Sequence, residues 1–220
     1  MTPGAPSSII SFDAAASSAY ANNGAATLSW NHTVGSGSNG ILVVGLGWYD
    51  TSSSNNPTVT FNSVPMTASI TTGTPSYANW GCGLFYLVSP PSGTYTVQAT
   101  LTGSAFYAGG GSSSFFGVNQ SSPIDATATQ TQTSGTSIAT SITTVSANDW
   151  LVRVNEGSLQ SLTGTFLSGL PDYNPLAGGG NNQATMGGHN GPIVTPGAVN
   201  GTWNVSSSAT MTQCLVGLQP

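Results

Sequence analysis

Few side chains in this chain of 220 residues can do acid–base or nucleophilic chemistry. There are two histidines (His32 and His189), two cysteines (Cys82 and Cys214), one arginine (Arg153), no lysine and six acids (Asp13, Asp50, Asp125, Asp149, Glu156 and Asp172). Nucleophilic catalysis needs a Ser or Cys beside a base and an orienting acid. Serines are abundant enough for a triad to be imagined, but no G-x-S-x-G elbow occurs. His32 falls on the apolar face of a predicted strand and reads as a buried or half-buried, hydrogen-bonded histidine. His189, within Gly187-Gly188-His189-Asn190-Gly191, reads as a solvated loop residue.

A glycosidase needs two facing carboxylates, and the six acids form no close pair in sequence. Asp149 and Glu156 flank a predicted strand and read as solvating its ends, with Arg153 pairing one of them. Asp172, Asn174, Asn181 and Asn182 are the oxygens best grouped for calcium, without EF-hand spacing. Two cysteines alone cannot complete a zinc site. They lie in apolar runs and read as buried thiols, a bridge between adjacent strands being the alternative. No catalytic residue, cofactor or metal is expected, and the chain is read as a non-enzyme.

Only 3% of residues are charged, against about 25% in an ordinary domain. One cation cannot neutralise a row of phosphates, so nucleic acid is excluded as a partner. The hydrophobic share is 38%, enough for a core. The longest dense apolar run, 41–49, is far below the ~20 residues of a membrane helix, and no membrane partner is expected. Solvation falls to Ser, Thr, Asn, Gln and backbone.

Period-two alternation bounded by turn residues runs through the chain, the mark of half-buried strands. Residues 27–34 put Leu28, Trp30, His32 and Val34 on one face. Residues 93–102 put Tyr95, Val97, Ala99 and Leu101 together, and Trp150, Val152 and Val154 alternate with Leu151, Arg153 and Asn155. Two segments, 41–49 and 80–88, are apolar on both faces and predict central strands covered on both sides. Asn39-Gly40, Asn62-Ser63 and Pro90-Pro91-Ser92-Gly93 mark turns, and Gly109-Gly110-Gly111 reads as an interruption. Residues 210–218 read as the last strand. About ten short strands and no capped helical period predict an all-β antiparallel sandwich of jelly-roll or Greek-key type, one domain over 1–220.

Residues 157–201 break the pattern, being rich in Gly, Asn and Pro while carrying Phe166, Leu167, Leu170 and Tyr173. Stretches of this length without structure are usually functional. This one reads as a long loop over the end of the sandwich, or as a contact arm hinged at its glycines. Aromatics within predicted strands read as core; Tyr173 and Trp203 are the best candidates for exposed ones. Phe166, Leu167, Leu170, Tyr173 and Trp203 are therefore the candidate partner contacts. The start, Met1-Thr2-Pro3-Gly4-Ala5-Pro6, lacks the basic and apolar regions of a signal peptide. If it is native, the chain is not exported by the general route.

Three phrases and the C-terminus resemble a β-sandwich module of phage structural proteins and bacterial surface proteins. The phrases are Trp30-Asn31-His32-Thr33-Val34-Gly35-Ser36-Gly37-Ser38-Asn39-Gly40-Ile41-Leu42-Val43-Val44-Gly45, Tyr86-Leu87-Val88-Ser89-Pro90-Pro91-Ser92-Gly93-Thr94-Tyr95-Thr96-Val97 and Phe116-Gly117-Val118-Asn119-Gln120-Ser121-Ser122-Pro123-Ile124-Asp125; the C-terminus is Cys214-Leu215-Val216-Gly217-Leu218-Gln219-Pro220. The likeness spans most of the chain and implies a structural or adhesive role without catalytic residues. The chain departs from it in its near-absence of charge and in the insert after Gly157. The resulting expectation is a phage virion protein, a capsid decoration or head-fibre component, made in the host cytoplasm and released by lysis. Its expected partners are copies of itself and other virion proteins such as the major capsid protein. A carbohydrate-binding or adhesion module, tail-associated proteins included, is the alternative, with glycans as partners.

Overall fold

The computed structural model describes residues 9–18, 21–22, 27–50, 56–72, 80–101, 105–158, 172–173 and 183–220. They form fourteen strands: β1 (Ser11–Ser17), β2 (Ala21–Asn22), β3 (Thr27–Val34), β4 (Ile41–Asp50), β5 (Thr58–Phe61), β6 (Val64–Pro65), β7 (Thr67–Thr72), β8 (Trp80–Val88), β9 (Gly93–Thr100), β10 (Ala105–Phe116), β11 (Ile124–Thr144), β12 (Asp149–Ser158), β13 (Gln183–Ile193) and β14 (Gly197–Leu218). The fold is an all-β antiparallel sandwich, with a central sheet covered on both faces.

The central sheet runs β1-β10-β4-β8-β7, with β2 also pairing β10. Its middle strands are the two segments whose sequence is apolar on both faces. From β4, Leu42, Val44, Leu46 and Trp48 point to a second sheet, β3-β9-β5-β6, and meet Leu28, Trp30, Phe61, Val97 and Ala99. Ile41 and Val43 point the other way and meet Val152, Val154, Cys214, Val216 and Leu218 of a third sheet, β11-β14-β12-β13. A side-chain period of two allows one strand to supply both cores.

The third sheet doubles back on itself. β11 and β14 pair along their whole lengths, broken by register shifts around Gln132, Gly135 and Ser137. A straight strand of 21 residues would span about 70 Å. Yet the Val145 N–H, just past the end of β11, donates to Asp125 Oδ2 near its start at 2.6 Å. The bulges therefore fold the far half of the hairpin across the outer face of the sheet. Arg153 Nη1 donates to the Thr202 carbonyl at 3.2 Å across this layer. Between the halves lie Ile138, Trp203, Val205, Ala209 and Met211, and beside them Ile142, Leu151 and Leu215.

Several expectations are corrected here. Residues 157–201 are not one loop: β12 ends at Ser158, β13 is the edge strand of the third sheet, and β14 begins at Gly197. Glycines 109–111 do not interrupt anything, since β10 runs through them. Gly110 and Gly111 are small because neighbours are close; a Cβ on Gly110 would lie 2.7 Å from the Gly45 carbonyl oxygen and one on Gly111 2.1 Å from Tyr173 Cγ. The Asn62-Ser63 turn has φ of 50° and 64°, the positive pair that a tight two-residue hairpin requires. It joins β5 to β6, and the chain then leaves for the central sheet as β7. Phe166, Leu167 and Leu170 lie outside the described residues, as do Asn174, Asn181 and Asn182.

Candidate functional site

His32 projects from β3 into the core and is 1% exposed, as expected of an apolar-face histidine. Trp30 Nε1 donates to Ser112 Oγ at 3.0 Å, and Ser112 Oγ lies 2.8 Å from His32 Nδ1. His32 Nε2 lies 3.0 Å from Ser114 Oγ, which donates to Asp13 Oδ2 at 2.7 Å. Only one set of proton positions lets every member donate once along the row. Ser112 donates to Nδ1, and Nε2–H donates to Ser114. The ring is therefore neutral, in agreement with burial lowering its pKa to about 4 despite the opposing pull of Asp13. The row ties the second sheet to β10 and, through Asp13, to β1.

His189 overturns the expectation of a solvated loop residue. It sits on β13 with Nδ1 2.8 Å from Asp172, whose Oδ2 also accepts from Ser113 Oγ at 2.6 Å. Its ring stacks on Phe12 at 4.4 Å and on Trp150 at 5.3 Å, with Phe115 edge-on at 5.4 Å. An acid orienting an imidazole is half of a catalytic constellation, but the serine here bonds the carboxylate, not the imidazole. The arrangement lacks the nucleophile–base contact of a triad, and it clamps β1 and β10 to β13. Asp172 thus contacts His189 and Ser113, while the other members of the oxygen set, Asn174, Asn181 and Asn182, lie outside the described residues. Among the described residues no group of three His, Cys, Asp or Glu is placed to hold a metal.

The ionisable side chains of β12 are inside. Asp149 and Glu156 are both 0% exposed and Arg153 is 7% exposed, so the two acids do not solvate strand ends. Glu156 accepts a short hydrogen bond from the Thr185 hydroxyl and lies against Gly47, where any Cβ would collide with it. Strand alternation puts Arg153 on the opposite face of β12, toward the folded hairpin, where burial lowers its pKa to about 10. Asp149 receives no N–H or hydroxyl hydrogen bond. It faces Asp125, and burial together with that neighbour raises its pKa to about 8.

Two outer faces among the described residues are uncharged. On the outer face of the second sheet, Thr27, Ser29, Asn31 and Thr33 pair across with Thr100, Gln98, Thr96 and Thr94, and all eight are exposed. The row is internally bonded, Thr33 Oγ1 to Thr94 Oγ1 at 2.7 Å and Thr96 Oγ1 to Asn31 Oδ1 at 3.3 Å. On the opposite side of the molecule the folded hairpin presents Ser137, Ala139, Ser141 and Thr143 beside Asn204, Thr202, Asn200 and Ala198. Neither face carries an ionisable residue.

Tyr173 and Trp203, read from sequence as exposed contacts, are 3% and 1% exposed. Trp203 fills the core of the doubled hairpin. Tyr173 is wedged between the central and third sheets, where a Cβ on Gly45, Gly111 or Gly187 would lie 2.0, 2.1 or 1.9 Å from its ring or hydroxyl. These glycines make room for a ring; Gly187 is no hinge. Among the described residues the one aromatic in the exposed class is Phe12. No helix among them is long and apolar enough to cross a membrane. No protein-family model, curated protein or solved structure matches the chain.

Proposed function

We propose that this chain is a structural protein of a phage virion, a capsid decoration or head-fibre component that works through protein–protein contacts. The observation that carries this reading is the distribution of charge. Four of the seven ionic side chains, Asp149, Arg153, Glu156 and Asp172, are buried or nearly so, and two broad outer faces hold only hydroxyls, amides and small apolar groups. Covering such a face removes no ion from water, so a neighbour can bury it without the desolvation cost that opposes buried ion pairs. The missing like-charge repulsion also suits close packing of identical copies. The resemblance of the strand phrases to phage modules supports the same reading.

The alternative, a glycan-binding or adhesion module, has the hydroxyl and amide rows in its favour. Its best stacking platforms, Tyr173 and Trp203, are buried. Sedimentation velocity of the whole chain, wild type against Thr96→Lys and Ser141→Lys, separates the two readings when run beside a glycan array. Virion contacts predict self-association that the added charges weaken while the melting temperature stays within about 1–2 °C, what ±0.5 kcal/mol at a surface site allows. Monomers at all concentrations together with selective glycan binding would favour the alternative.

A further inference from the structure

Cys82 on β8 and Cys214 on β14 are both fully buried, and they come from facing sheets instead of neighbouring strands. They are the chain's two cysteines, 132 positions apart, and their sulfurs lie 2.8 Å from each other. Two independent strand registers must both be right for the pair to meet. β8 is fixed by β4, with Gly47 opposite Cys82, and β14 by β12, with Val154 opposite Cys214. The Cys214 thiol also lies 3.2 Å from the Cys82 carbonyl, so the two thiols are held against each other. A disulfide needs sulfurs at about 2.05 Å, within reach of small rotations about the two Cα–Cβ bonds.

We propose that Cys82 and Cys214 close an inter-sheet disulfide when the chain meets an oxidising environment, stapling the central sheet to the third sheet. The oxidant is a small-molecule disulfide. One cysteine thiolate attacks it, forming a mixed disulfide and expelling one small thiolate. The second cysteine thiolate then attacks the protein sulfur of that mixed disulfide, forming the Cys82–Cys214 bond and expelling the other small thiolate. Two protons leave the cysteines, and two electrons reduce the oxidant to two thiols. Both thiols are buried, so closure takes place during folding or during transient separation of the sheets. The bond would tie a loop of more than a hundred residues, the class in which cross-linking restrains the unfolded chain most.

The test is to unfold and refold the full chain in a reduced/oxidised glutathione buffer, remove the buffer, denature and alkylate. The proposal expects no alkylation, an intact mass 2 Da below the dithiol, and a melting temperature roughly 5–15 °C above that of the reduced protein. Adding a strong reductant before melting should abolish the gain. The variant Cys82→Ala/Cys214→Ala should fold and melt identically with and without oxidant. Two alkylated thiols after oxidative refolding, a glutathione adduct on either cysteine, or a covalent dimer would each overturn the proposal.

Discussion

Asp149 is fully buried with its carboxyl turned to that of Asp125. The pair sits where the last turn before β12 meets the start of β11. Burial works against ionisation of Asp125 too, but the Val145 N–H, Asp149 and Ser146 outweigh it and hold its pKa below the usual value. Asp149 has no such donors and keeps its proton until pH about 8. At neutral pH the pair is a carboxylic acid donating to a carboxylate.

This sets a pH dependence. The folded-state pKa of Asp149 lies above its unfolded value of ~3.9, so the folded chain binds the extra proton. The stability contributed is fully present below that unfolded value and is lost as pH rises through about 8. Asp149→Asn replaces the carboxylic O–H donor with an amide N–H and removes the titration. The variant should gain stability over wild type progressively from pH 4 to pH 8, by on the order of 4 kcal/mol at the upper end. Urea unfolding of both proteins at pH 4.5, 6 and 8 measures it; a difference independent of pH would show that Asp149 is ionised in the native protein.

His32 acts in the opposite sense. It is neutral when folded, with its pKa lowered to about 4, while the unfolded chain takes up a proton near ~6.5. Its contribution is present above the unfolded value and is lost as pH falls from there toward 4. His32→Leu should flatten that acid limb and cost about 2–4 kcal/mol at pH 7, since Ser112 and Ser114 lose their partner inside the core. The ring's 15N shifts should report Nε2 protonated and Nδ1 bare; the other tautomer would reverse the hydrogen-bond row.

Tyr173 separates core from contact residue. Its hydroxyl is buried without a partner, and its ring occupies space left by three glycines. Tyr173→Phe should leave stability unchanged or raise it by up to about 1 kcal/mol, because an unsatisfied polar atom is removed. Tyr173→Ala should cost about 3–5 kcal/mol through the cavity it opens. Gly187→Ala should destabilise comparably, since its Cβ would meet the ring at 1.9 Å. Chemical unfolding of the three variants is the check. An alanine variant as stable as wild type would return Tyr173 to the surface.

The central strands were legible because residues 41–49 and 80–88 are apolar on both faces, which a singly covered sheet does not require. His32 was legible because alternation fixed its face. β13 was not: Gln183–Ile193 has no period-two pattern, and its glycines at 187 and 191 make room for Tyr173 and Trp150. The Asp149–Asp125 and His189–Asp172 pairs were also hidden. Their members are separated by 24 and 17 positions and meet only because β11 and β12 both pair with the end of β14 around Gly217 and because β13 docks beside β12. The bulges near Gly135 that cause the doubling leave only a lone glycine in the sequence. A charged residue reads as exposed by default, so the inward placement of the few ions emerged only from the structure.

The account rests on the uncharged outer faces being contact surfaces within a virion. Quantitative mass spectrometry of gradient-purified phage particles tests this most directly. The account predicts the chain in the particle fraction, in fixed proportion to the major capsid protein and resistant to a salt wash, as contacts without ions should be. Its absence from intact particles, with the chain recovered only as free protein in the lysate, would contradict it.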